Sequence, residues 1–207
     1  MTGTTITTAA NEYANRPADE RYGSIDDLIL AATADQRLSA ERSYNLKDLR
    51  AEVYSNLAPG YQPSVQLVSP KGQAAFTHWS FGQLSRMIGA PAGYLRQLSP
   101  ALAADCVNEG IARSDVGQTA TLLVRAANGN PSPTIRSVTS DTYGRLWDGP
   151  LYAALQATLG DAFQLPPTWE GGADGPRSGA YKGDRDSFVT VVNGGSIVND
   201  PSAARGN

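Results

Sequence analysis

The sequence has one cysteine, one histidine and no long apolar run among its 207 residues. Cys106 alone cannot form an internal disulfide, which disfavours a disulfide-stabilised secreted domain. No apolar run approaches the roughly 20 residues that a membrane helix needs. The Thr-rich start, residues 1–10, also lacks the basic and apolar segments of a signal peptide. These absences predict a cytoplasmic protein that does not associate with membranes.

The motifs of common catalytic sites are missing as well. A zinc site or a nucleophilic pair would depend on His78 and Cys106, and neither Cys-x-x-Cys nor His-x-Glu occurs. We expect Cys106 to be a buried structural thiol and His78 to pack beside Trp79. The phosphate-binding patterns GxxxxGK[ST] and GxGxxG are absent too. The sequence therefore predicts no catalytic residue and no bound cofactor.

Two pairs of nearby carboxylates are the remaining candidates for metal chemistry. Asp184 and Asp186 flank an arginine, and Asp141 and Asp148 flank a Tyr-Gly-Arg-Leu-Trp segment. Such pairs can hold Mg²⁺, but they are more typical of a solvated turn and of a helix cap. We favour the second interpretation and predict no metal site.

Helical signals are clearest at 24–37, 78–113 and 150–160. Ser24 and Asp27 have capping-box spacing. Gly89 stands where a helix C-terminus favours glycine, and Ser99 before Pro100 indicates another helix start. Apolar residues then predict one face of each helix, with Leu102, Cys106, Val107 and Ile111 on the third central helix and Leu151, Leu155 and Leu159 on the last helix.

Extended patterns occupy 46–54, 64–69, 119–127, 134–140 and 187–192. The sequence therefore predicts an α+β fold, with an antiparallel sheet of the last four segments packed by helices. We expect a flexible lead-in over 1–20, one domain over 21–192 and an irregular tail over 193–207.

The central block FGQLSRMIGAPAGYLRQL has a helix-turn-helix-like layout. As a DNA reader it would present Tyr94 and Arg96 from its second helix, with Arg86 on a phosphate. The same spacing is common in ordinary helical corners. Basic and aromatic residues also interleave further on, which is typical of single-strand binders. These residues are Arg125, Arg136, Tyr143 and Arg145.

Charge is unevenly spread along the chain. Residues 62–147 carry seven basic and four acidic side chains, whereas the segments on either side each have a net charge of −3. A basic middle can face an anionic partner, although an excess of three over this length is also within ordinary scatter.

Four segments in a fixed order resemble the phage/plasmid-like protein family, a domain of unknown function. They are RYGSIDDLILAA at 21–32, FTHWSFGQLSRMIGAPAGYLRQLSPALAADCVNEGI at 76–111, RSVTSDTYGRLWDGPLYAAL at 136–155 and YKGDRDSFVTVV at 181–192. The resemblance implies a setting in phages and plasmids, often beside genes for DNA metabolism or defence evasion. It supplies no catalytic residues, and it implies a C-terminally truncated member, because relatives continue further.

Two functional hypotheses follow. The first is a mobile-element protein that binds single- or double-stranded DNA, as a single-strand annealing or DNA-protecting factor, with homo-oligomers compatible with that role. The second is a module that binds a host protein and inhibits a defence system of the restriction or CRISPR type. An enzyme ranks third, because it would need a carboxylate-bound metal or residues beyond this sequence.

Overall fold

A computed structural model describes residues 16–54, 64–127, 132–166, 179–183 and 186–193. The chain groups into two compact units, residues 1–34 with 146–207 and residues 35–145. The sequence predicted one domain over 21–192. Because the chain divides into two units, we describe each unit by itself. Within the described ranges the helices are α1 Ile25–Arg37, α2 His78–Met87, α3 Ala92–Leu95, α4 Pro100–Arg113 and α5 Asp148–Leu159. The strands are β1 Arg21–Tyr22, β2 Ser39–Asn45, β3 Arg50–Tyr54, β4 Ser64–Ser69, β5 Gly72–Phe76, β6 Thr119–Arg125, β7 Thr134–Thr139, β8 Phe163–Gln164, β9 Ala180–Lys182, β10 Ser187–Val189 and β11 Val192–Asn193.

The larger unit, residues 35–145, contains a six-stranded sheet in the order β2-β6-β7-β5-β4-β3. Its neighbouring strands are antiparallel except β5 and β7, which run parallel. The sheet is therefore mixed, whereas the sequence predicted an antiparallel one. Helices α2, α3 and α4 come from the chain between β5 and β6, and their apolar sides bury Leu84, Leu95 and Val107 in one core with Leu122 and Ile135 of the sheet.

The smaller unit has a core of its own. Its strands form a three-stranded sheet in the order β1-β9-β10 and a two-stranded sheet of β8 and β11. Leu28 and Ala32 of α1 pack with Tyr152 of α5, Leu165 and Ala180. The Ser24 hydroxyl accepts a hydrogen bond from the Asp27 amide at 3.0 Å, which confirms the predicted start of α1.

The α+β class is confirmed, and several element predictions need correction. The predicted strand at 46–54 is a short 3-10 helix, Leu46–Asp48, followed by β3. The segment 187–192 does not join the main sheet, because β10 pairs with β9 in the smaller unit. Strand β2 was missed because its polar residues lack an apolar alternation. It is a strand because all seven of its residues pair with β6.

Two predicted apolar faces are only partly right. Val107 and Ile111 of α4 are buried as predicted, but Leu102 is exposed, and α4 buries Ala103 and Ala104 in its place. Leu151 is exposed on α5, which buries Gly149 and Tyr152 instead. On α4 small residues are buried where the periodicity predicted a leucine, and on α5 a glycine and a tyrosine are buried instead. The predicted lead-in and tail lie mostly outside the described residues, although Ala18–Glu20 forms a 3-10 turn.

Candidate nucleic-acid interface

Helices α2 and α3 and the turn between them enclose a groove of about 650 Å³ in the larger unit, which we call the corner groove. Its lining includes Trp79, Gly82, Gln83 and Arg86 of α2 and Arg96 just after α3. The volume lies within the range of ~300–1,000 Å³ that is usual for ligand sites. The corner groove is therefore large enough to hold part of a polymer or a small molecule.

Local sequence signals shape this corner. A capping box starts α2, since the Ser80 amide donates to Thr77 Oγ1 at 3.1 Å and the Thr77 amide donates to Ser80 Oγ at 3.0 Å. Gly89 has a φ of +70°, a left-handed conformation that glycine adopts without strain, and it turns the chain after α2. Helix α3 then has only four residues. It is one turn long, much shorter than the recognition helix of a duplex-reading helix-turn-helix protein.

Gln83 attaches α2 to the sheet. Strand β5 pairs with β7 only at Ala75 and Phe76, and α2 begins two residues later. Within the described ranges, the remaining edge of β7 therefore has no strand beside it at Val138. The Gln83 side chain accepts a hydrogen bond from the Val138 amide at 2.9 Å and replaces the missing strand there. The floor of the corner groove is thus held to the central sheet.

The described residues that line the corner groove include two arginines and no acid. Arg86 and Arg96 are both exposed, and neither forms an ion pair with any residue in the described ranges. The sequence contains no Asp or Glu between Glu52 and Asp105. An anion in this groove would therefore meet two guanidinium groups and no nearby carboxylate from that stretch.

One aromatic ring belongs to the groove and another does not. Trp79 lines the groove and is 43% exposed. Tyr94 is 59% exposed, but it lies two residues from both Ala92 and Arg96, which line the groove. At 3.6 residues per turn, Tyr94 points to another side of α3. The ring that can stack on a ligand in the groove is therefore Trp79 rather than the predicted Tyr94.

The other predicted arginines lie on the opposite face of the sheet. Leu122 and Ile135 face the helices, so Leu123 and its partner Ser137 face the other way. On that second face, which we call the outer sheet face, Asp35 pairs with Arg136 and, at 2.9 Å, with Arg125 Nε. The side chains of Asp35 and Arg136 are only 12% and 11% exposed. These two arginines are therefore held by a shared carboxylate.

Arg145 has a similar environment on the outer sheet face. Its Nε lies 2.6 Å from a Glu41 carboxylate oxygen, and its Nη2 donates to the Ser137 hydroxyl at 2.8 Å. The Tyr143 ring centroid lies 5.6 Å from the Arg145 guanidinium carbon. The seven predicted binding residues are thus separated into two groups, with Arg86, Tyr94 and Arg96 at the helical corner and the other four at the outer sheet face.

Candidates for catalysis and metal binding are dispersed. His78 is exposed and lines the groove, and Cys106, which we expected to be buried, is half-buried against the core of the larger unit. Asp186 pairs with Arg16 at 3.0 Å in the smaller unit, and Asp184 lies outside the described residues. Across the described ranges, no group of three or more His, Cys, Asp or Glu could hold a metal ion. None of the helices in those ranges is long and apolar enough to span a membrane.

Two groups in the smaller unit have shifted pKa values. Burial raises the pKa of the Tyr152 hydroxyl to about 12. The hydrogen bond to Asp186 raises the pKa of Arg16, whose guanidinium also lies over the Tyr181 ring at 4.2 Å. Both groups keep their usual protonation at neutral pH. Their contacts point to a structural role.

Sequence reasoning missed Trp79, Gly82 and Gln83 as groove residues. Two signals could have found them. The spacing of residues 79, 82, 83 and 86 puts them on one side of a helix, and the stretch around them contains no acidic residue. Both signals are local features of the sequence, and the net charge of a long segment does not reveal them.

Comparisons with protein-family models, with curated proteins and with solved structures return no match. The resemblance to the phage/plasmid-like family therefore stays a prediction. The functional argument depends on the groove itself.

Proposed function

We propose that this protein binds DNA in the corner groove, acting as a single-strand-binding, annealing or protecting factor in the phage or plasmid setting that the resemblance implies. The observation that carries the proposal is the combination of Arg86, Arg96 and Trp79 in one groove, where no carboxylate of the described residues pairs with either arginine. Cationic side chains neutralise phosphates and aromatic rings stack on bases, whatever the base sequence.

The shape of the corner favours a single strand over a duplex. A duplex reader inserts a projecting helix into a major groove about 12 Å wide, whereas α3 is a single turn and the binding residues line a recess. A recess admits one strand whose bases are unstacked. We therefore assign single-stranded DNA as the preferred ligand.

Fluorescence anisotropy with labelled single- and double-stranded oligonucleotides at two salt concentrations tests the proposal. We expect saturable binding of the single strand that weakens with salt, because each neutralised phosphate contributes about −0.7 to the slope of log K against log salt. Absence of saturable binding near physiological salt would overturn the proposal.

A matched pair of aromatic substitutions locates the binding site. Trp79→Ala should weaken single-strand binding by about 1–3 kcal/mol through lost stacking. Tyr94→Ala removes an exposed ring from the same corner but outside the groove, so it should leave affinity nearly unchanged. Equal losses in both variants would contradict the assignment of the groove.

A second candidate is the protein-binding inhibitor of a host defence system. The exposure of Trp79, Tyr94 and Arg86 at one corner favours it, because Trp, Tyr and Arg are the residues most common in binding hot spots. A pull-down from host lysate with and without nuclease separates the two proposals. A specific partner that survives nuclease and is lost in both Trp79→Ala and Tyr94→Ala supports the inhibitor. Capture that disappears with nuclease supports DNA binding.

A further inference from the structure

Arg96 is held in a defined position at the back of the corner groove. Its Nη2 donates to the His78 carbonyl oxygen at 2.7 Å, and its guanidinium carbon lies 5.5 Å from the Phe81 ring centroid. Gly82 lies on the adjoining turn of α2, where a Cβ atom would come within 3.1 Å of the same nitrogen. The guanidinium therefore packs directly against Gly82, and a Cβ atom at this position would require it to shift by a few tenths of an ångström.

We infer that Arg96, seated by Gly82, is the fixed phosphate-binding fork of the groove and that its ligand is a phosphodiester of single-stranded nucleic acid. This inference rests on the proposed function and names the group that grips the strand. Arginine has five N–H donors in a planar fork, and the His78 carbonyl occupies only one side of it. The remaining donors are not paired with any carboxylate in the described part of the chain.

A seated arginine is a better phosphate ligand than a mobile one. Its planar fork matches two phosphate oxygens, and less conformational entropy is lost when the fork is already oriented. Arg86, in contrast, is exposed and has no hydrogen bond to a described residue that would orient it. We therefore assign the geometry of recognition to Arg96 and general attraction to Arg86.

Gly82 acts as a positioning residue rather than as a ligand. Glycine is a poorer helix former than alanine in a helix interior, so alanine at position 82 should not weaken α2 itself. It should instead shift the Arg96 guanidinium by a few tenths of an ångström from its seat. Binding and stability are then expected to change independently, which a purely structural role for Gly82 would not produce.

The neighbouring ring indicates a strand rather than an isolated phosphate. Trp79 lies three residues before Gly82 on α2, and both line the same groove. A ligand that carries both a phosphate and a base can use Arg96 and Trp79 together. Inorganic phosphate can use only Arg96, so it should compete weakly.

The test measures anisotropy of a labelled oligothymidylate with wild type, Arg96→Lys, Gly82→Ala and a control, Arg113→Lys. Arg113 is exposed on α4, pairs with Glu109 and does not line the groove, so the same Arg→Lys change there serves as the control. Arg96→Lys keeps the charge and loses the fork, and we expect binding about tenfold weaker. Gly82→Ala should bind about threefold more weakly with an unchanged or higher Tm, and Arg113→Lys should bind like wild type.

The outcomes distinguish this inference from the proposed function. If wild type binds the strand and Arg96→Lys binds equally well, the fork assignment is wrong and the proposed function stands. If wild type binds no strand, both fail. Competition by inorganic phosphate alone at the potency of an unlabelled oligothymidylate would also overturn the inference, because the site would then recognise the ion and not the strand.

Discussion

The corner groove and the outer sheet face both contain arginines and aromatic rings, yet their chemistry differs. Arg86 and Arg96 have no carboxylate partner among the described residues, whereas Asp35 and Glu41 engage Arg125, Arg136 and Arg145. An arginine that is held by a carboxylate has already given up much of its ability to bind phosphate. The difference teaches that the availability of an arginine depends on its acidic neighbours in space.

The largest expected effect on DNA affinity comes from replacing the two arginines of the corner groove. We expect Arg86→Gln/Arg96→Gln to weaken single-strand binding by about a hundredfold or more, since each lost charged hydrogen bond costs about 1.5–3 kcal/mol. The slope of log K against log salt should become shallower by about 1.4.

The matched double variant for that assay is Arg125→Gln/Arg145→Gln. It removes the same amount of charge from the outer sheet face and should leave affinity within a small factor of wild type. A larger loss in this variant than in the groove variant would break the comparison.

Asp35→Asn tests whether the outer sheet face is structural. The substitution removes the carboxylate that Arg125 and the nearly buried Arg136 share, and we expect the free energy of unfolding to fall by about 3 kcal/mol in urea titrations. Asp48→Asn changes an exposed carboxylate of the same unit and serves as the control. A marked gain in DNA affinity with Asp35→Asn would show that this face binds DNA once its acid is removed.

Gln83→Ala sharpens the comparison, because it affects the groove without removing a charge. It leaves the Val138 amide without its acceptor, which should cost about 1–3 kcal/mol of stability. Gln83→Glu retains an acceptor oxygen and should unfold close to wild type in the same denaturant titration. Identical stabilities for Gln83→Ala and wild type would contradict the role of Gln83 in attaching α2 to β7.

The smallest effect is expected in the other unit, where Tyr152 is buried and uncharged. Its folded pKa of about 12 lies above the usual value near 10. The unfolded chain therefore loses this proton first, and the stability that Tyr152 confers, full below about pH 10, is lost as pH rises toward about 12. Unfolding of Tyr152→Phe should be less sensitive to pH across that window, and equal sensitivity would contradict the assignment.

Local signals predicted much of the helical structure. Ser24 and Ser99 each cap a helix where the sequence indicated one. Strand β2 could not be predicted in the same way. Its residues are mostly exposed, and it is a strand because it pairs along its whole length with the buried strand β6. That information is in the partner strand rather than in β2 itself.

The candidate site was predictable only in part, for a similar reason. The sequence brought out Arg86 and Arg96 from a helical corner, which is a local pattern. It could not separate them from Arg136 and Arg145, whose partners Asp35 and Glu41 lie 101 and 104 residues away along the chain. Long-range pairing of this kind depends on the topology of the sheet.

The hydrogen bond from the Val138 amide to Gln83 makes one backbone proton a reporter for the corner groove. That proton exchanges with solvent when α2 lifts from β7, so its exchange rate measures how often the groove floor opens. A ligand that binds only the closed groove should slow exchange at Val138 in proportion to its occupancy. Amide exchange at this one position would thus reveal a ligand without a label on either molecule.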